Sequence, residues 1–341
     1  MLHKLFNKVN WIWQKKGPIN HFRPRIHNGT QPVRVVHHML VYMFQNAHPQ
    51  FLRELSEEIA KGKIAPKLEL RYGRDSIRQD DGRLHTPRVD LTTKTIELHE
   101  TFLSFLWCCT YSIYVQYLEK VDFPRMNRLN GRVIYPINEE NIQKAREMFD
   151  YARLLIVNFE DWDKDNLPNP EIYLAEQRTY PEQTNLYYTE AVKFILGHEY
   201  THLKLHADQI DANTPNSSYL VFEAEADNNA IDILIAGLFP KNHFAADAQK
   251  LAVCIGIIIG ILSMFYFTAT TSGTRHPNME DRLTNALERL PIEDDHEAWG
   301  IACIGLQMWD EQFNLQLTWE NDPVSYREQY YRIIEQIKAQ Q

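Results

Sequence analysis

A chain of 341 residues and 40.2 kDa is long enough for one large domain or two ordinary ones. With 44% apolar and 24% charged residues and only 13 glycines, it is neither disordered nor collagen-like. Its net charge of −9 is uneven: the first 50 residues hold seven Lys/Arg and no acid, and the remainder is strongly acidic, a balance that argues against a specific nucleic-acid partner.

Residues 1–30 read as a basic N-terminal arm. Trp11 and Trp13 stand beside Lys15 and Lys16, a pattern that suits docking on the acidic body and, as an alternative, peripheral contact with a membrane surface. Lysines interrupt the apolar residues of the first 16 positions, so no secretory signal is expected, and the reading is a cytoplasmic protein. Residues 31–186 are expected to form a helical N-terminal part containing a small sheet. Helical spacing runs through 38–44 and 51–60, and alternation at Leu68, Leu70, Tyr72, Ile96 and Leu98 around Asp80-Asp81-Gly82 predicts a small antiparallel sheet. Helices are predicted at 101–120 and 139–159, with a long surface connection over 160–186. Residues 187–341, helical almost throughout, are expected to form the catalytic part and to pack with 31–186 as one unit. The predicted class is mostly α, an α+β fold. Cys108, Cys109, Cys254 and Cys303 lie among apolar residues without C-x-x-C spacing and read as buried free thiols.

Residues 251–267 carry no charge, which is short of the roughly 20 apolar residues of a membrane helix. A buried core helix is the favoured reading and a membrane-associated peptidase the alternative.

The chemistry is concentrated in His198-Glu199-Tyr200-Thr201-His202. Two histidines four apart project from one helical face and can hold one zinc ion, while Glu199 reaches the open coordination position. There it acts as general base on zinc-bound water attacking a carbonyl, and returns the proton to the leaving amine. The stripe Ala191, Phe194, Ile195 continues into both histidines, which turns them toward the core.

A third ligand is expected on the next helix. Glu223 shares a face with Ala226, Asp227, Ala230 and Ile231, whereas Glu225 falls with Asn228, Asn229 and Asp232 on a solvated face. Glu223 is therefore the predicted ligand, and Asp227 the carboxylate that fixes the tautomer of a ligand histidine. His206 reads as a rim or surface histidine, His276 as a helix N-cap before Pro277, and residues 96–99 as a sheet edge able to pair with an extended substrate.

His198-Glu199-x-x-His202 followed by Glu223-x-x-x-Asp227 resembles the gluzincin metallopeptidases. The later His276-Pro277 and Arg282 are similar to the HtpX-type and CAAX-protease-type pattern, and this resemblance implies that His276 or Arg282 donates to the tetrahedral oxyanion. Chain size and the run Glu-Ala-Glu-Ala-Asp-Asn-Asn-Ala resemble most the Lit-type phage-exclusion peptidases, bacterial enzymes that cleave elongation factor Tu. The expectation is a zinc metalloendopeptidase, a hydrolase with one Zn2+ per chain. By resemblance it has an antiviral role and a translation factor as protein substrate. The competing readings are a zinc-stabilised interaction protein, against which Glu199 argues, and an HtpX-like membrane-associated peptidase.

Overall fold

The computed structural model describes residues 31–340 apart from 67, 72–83, 131–133, 172 and 322. The basic arm and the Asp80-Asp81-Gly82 turn therefore lie outside the described residues.

A short turn, Pro32–Val36, leads into α1 (His37–Gln45) and α2 (Phe51–Ala60). Three short strands follow: β1 (Glu69–Arg71), β2 (Arg88–Asp90) and β3 (Thr95–His99). Then come α3 (Glu100–Tyr117), α4 (Phe123–Asn130), α5 (Glu139–Val157), α6 (Thr179–Thr201), α7 (Asn216–Ile235) and α8 (Ala246–Phe265). The chain finishes with α9 (Met279–Arg289), α10 (Glu297–Phe313) and α11 (Tyr326–Ala339). The mostly helical α+β class is as expected.

Local chemistry sets several of these boundaries. Asn138 Oδ1 accepts the Glu140 amide at 2.9 Å and opens α5, with Glu139 and Glu140 favourable in its first turn. His99 closes β3 and caps α3 by accepting the Thr101 amide on Nδ1 at 3.1 Å. Asn314, in the left-handed region at φ 54°, terminates α10.

Three expectations change. The sheet, in order β1-β3-β2, is mixed rather than antiparallel, because β1 runs parallel to β3 and only β2 is antiparallel to it. The β2–β3 hairpin turns at Asp90, whose Oδ1 accepts the Thr92 and Thr93 amides at 2.8 and 3.1 Å. Residues 96–99 are also not an edge: β3 is the central strand, and all five of its residues are buried. Finally, 160–186 is not all surface connection. α6 begins at Thr179, since Pro181 in a first turn starts a helix rather than stopping it, and Trp162 and Asn169 are buried.

The core is built on α3 and α8. Every residue of α3 is buried, against α5, α6 and α10. α8 is long and apolar enough to cross a membrane by length and composition, yet its surface is taken up by α6, α9 and α10, and 252–263 are buried without a break. An all-round apolar helix suits that interior place. The four cysteines are buried and free, and burial pushes the Cys254 thiol up to about 12.

α8 approaches α6 so closely at Gly256 that a Cβ there would lie 2.4 Å from Glu190 Cβ and 2.8 Å from the Ala191 nitrogen. Gly256→Ala is expected to force the helices apart and lower unfolding stability by about 1–3 kcal/mol, the usual cost of overpacking. Denaturant melts read this, and an unchanged midpoint would contradict the helix spacing.

Candidate metal centre

The last turns of α6 and the middle of α7 lie side by side because both are small where they touch. A Cβ at Gly197 would sit 3.2 Å from Ala230 Cβ. Asn229 Nδ2 donates to Thr201 Oγ1 at 2.7 Å and ties the same pair of helices. This contact sets His198 of α6, and His202 in the turn that continues it, opposite Glu223 of α7.

The three side chains converge. His198 Nε2 is 3.0 Å from His202 Nε2 and 3.2 Å from Glu223 Oε2, and His202 Nε2 is 3.4 Å from Glu223 Oε1. All three residues are buried. His198 Nδ1 lies 2.8 Å from Asp227 Oδ1, so its Nδ1 proton donates to the carboxylate, and the form that binds a metal offers the Nε2 lone pair. That edge faces a second nitrogen and a carboxylate oxygen across a buried gap, an arrangement that either a second ring proton or a metal ion makes favourable. Tetrahedral zinc with bonds near 2.0–2.1 Å separates its ligand atoms by about 3.3 Å, and the separations here match. Donor set, burial and spacing thus fit a metal ion.

The surrounding charges are arranged in layers. Arg282 on α9 grips Asp227 with Nε to Oδ2 at 2.7 Å and Nη2 to Oδ1 at 2.8 Å. Burial alone would raise the Asp227 carboxyl, but the Arg282 guanidinium and the His198 ring outweigh it and hold it below the usual carboxylate range. Asn285 Nδ2 donates to Asn228 Oδ1, and Arg289 pairs with both oxygens of Asp232, so three polar rungs dock α9 along α7 and fix the position of Arg282. Burial opposes ionisation of Glu223 too, yet the three histidine rings around it keep it charged. Glu199 is different. Burial raises its carboxyl to about 7, with the His198 ring opposing and the Glu223 carboxylate adding. A base with that affinity holds and releases a proton near neutrality.

His198, Glu199, Glu223, His276 and Arg282 line a cleft of about 320 Å³. Its apolar lining comes from Phe102, Phe194, Ile261, Met264 and Phe267, and Thr86 and Pro87, just before β2, line it as well. α8 therefore supplies a wall of the cleft as well as the centre of the core.

The family model of Peptidase U49 matches residues 96–302, from β3 to α10, over half the chain. The chain belongs to the Peptidase U49 family. No curated protein and no solved structure matches it.

His198, Glu199, His202, Glu223, Asp227, His276 and Arg282, the seven site residues expected from the sequence, lie together here. His276 is placed differently from expectation: α9 starts at Met279 with Asn278 at its N-cap position, so His276 lies in the preceding loop. There its Nδ1 is 3.0 Å from Glu223 Oε2, and its side chain is 61% exposed to the cleft and solvent. His206 is also corrected: it is wholly buried, and Glu225, though exposed, reaches it. The wall residues of α8 escaped sequence reading because nothing but apolarity marks them. His206 carried a usable signal, since it extends the spacing of His198 and His202 by another four residues.

Purified protein is expected to hold about one zinc per chain, as an open three-ligand site does. His198→Ala and Glu223→Ala are expected to lose it. Arg282→Ala, which frees Asp227, is expected to weaken zinc binding by about 10–100-fold, the usual effect of an outer partner. Elemental analysis and chelator competition read both, and full occupancy in the ligand variants would refute the assignment.

Proposed function

We propose that this U49 peptidase is a zinc-dependent endopeptidase, with His198, His202 and Glu223 as metal ligands, Glu199 as general base and Asp227 orienting His198. The observation that carries the reading is the convergence of three donor side chains beside a cleft that His198, Glu199 and Glu223 line, on a chain whose family is a peptidase family.

His198, His202 and Glu223 would hold the zinc ion, which would supply Lewis acidity to the attacking water and the scissile carbonyl. Glu199 takes the proton as water oxygen bonds to the carbonyl carbon. It then delivers that proton to the amide nitrogen as the C–N bond breaks, so two chain ends leave and Glu199 is regenerated. Asp227 and Arg282 keep His198 in the tautomer that offers Nε2. Both Arg282 donors named above are engaged on Asp227, which makes Arg282 a positioning residue. His276, exposed at the cleft, is the better donor to the tetrahedral oxyanion.

The competing structural-zinc reading requires a fourth protein ligand. Among the described residues the cluster contains three, beside an open cleft, which favours catalysis. The Lit-like resemblance supports a host-directed phage-defence role with a translation factor as substrate.

Glu199→Gln keeps the shape of the side chain and removes the base. It is expected to bind zinc as the wild type does and to lose essentially all hydrolysis. Comparing proteomes of bacteria expressing either form identifies the substrate as the protein cleaved only by the wild type, and equal cleavage by both forms would remove Glu199 from the mechanism. His276→Ala is expected to retain zinc and lower kcat by about 10²–10³-fold, the cost of one oxyanion donor. An unchanged kcat would leave His276 outside the reaction.

A further inference from the structure

Asp227 supports one ligand histidine, and the other has a support of its own. At His202 the helix changes from α to π hydrogen bonding, over His202–His206. Such widened turns occur mostly as single insertions in α-helices and frequently at functional sites. Here the turn holds His206 with Nδ1 3.0 Å from His202 Nδ1, while His206 Nε2 lies 3.1 Å from Glu225 Oε2. His206 is fully buried and stacks on Phe222, ring centroids 4.6 Å apart and planes 20° from parallel.

Only one set of neutral tautomers satisfies this chain when His202 offers Nε2 to a metal. The His202 proton then sits on Nδ1 and donates to His206 Nδ1. The His206 proton in turn sits on Nε2 and donates to the Glu225 carboxylate. Each ring has one donor and one acceptor, and both are used. We propose that His206, anchored by Glu225 and Phe222, is a positioning residue that orients His202 and fixes its metal-binding tautomer. The inference rests on the zinc reading above.

The two ligand histidines are then held by unlike means. His198 leans on a buried carboxylate neutralised by Arg282, and His202 on a second imidazole whose carboxylate partner is 57% exposed at its side chain. The His202 branch reaches the protein surface.

Zinc competition between a chelating dye and metal-free protein tests this, together with the visible spectrum of the cobalt-substituted form. His206→Phe preserves the stacking on Phe222 and removes the acceptor; zinc affinity is expected to fall by about 10–100-fold, with an altered cobalt spectrum. His206→Asn places an oxygen near the lost Nδ1 and is expected to recover most of the affinity. Glu225→Ala, a change at an exposed side chain that leaves the core intact, is expected to weaken zinc several-fold, and it carries the test should His206→Phe not fold. Wild-type affinity in His206→Phe or Glu225→Ala overturns the proposal, as does an Asn variant as weak as the Phe variant, which would reduce His206 to packing. Absence of zinc from the wild type removes both readings together; zinc in the wild type with unaltered variants removes this one alone.

Discussion

Two imidazoles and a carboxylate aimed at one point inside a protein give up their hydration, and the fold has to hold them there. The force that does so is ordinary packing. α6 and α7 meet at Gly197 and Ala230, where no side chain keeps the backbones apart, and the histidines and Glu223 follow from that contact. The unfavourable electrostatics is then balanced from outside by Asp227, Arg282 and the polar rungs that pin α9 to α7. Removing the contact would scatter the donors, and removing the outer charges would leave them misaligned.

α8 imposes the second constraint. A helix apolar on every side has no face to give to water, so its neighbours must enclose it. Gly256 lets α6 come close from one side, and α9 and α10 close the others. Enclosure brings the chain after α8 back over the His198, His202 and Glu223 cluster, which is why His276 and Arg282, more than fifty residues from Glu223 and Asp227, stand beside those two carboxylates.

What the sequence reveals follows from how local each signal is. His198, Glu199 and His202 are legible because a four-residue spacing fixes their common face, and Glu223 because its neighbours on the helix are small and apolar. The long helices are legible from periodicity. The mixed sheet is not, because strands of three to five residues carry little pattern and the parallel partner of β3 lies some thirty residues back along the chain. The start of α6 was hidden by Pro181, whose meaning depends on whether it falls in a first turn or beyond it. His206 was misread for a related reason. A straight α-helical projection does not anticipate a π turn, and it is this turn that brings the buried ring within reach of Glu225 on its solvated face.

The double duty of α8 has a practical side. Ile261 and Met264 face the cleft, while the rest of the helix is the post around which the core is assembled. Any molecule seated against that wall adds contacts to the helix whose release accompanies unfolding. Occupancy then raises the melting temperature by mass action, in proportion to the logarithm of free ligand over its dissociation constant. Thermal stability thus becomes a reporter of binding that needs neither turnover nor knowledge of the scissile bond, and peptide libraries can be sorted on it with a hydrolytically silent variant.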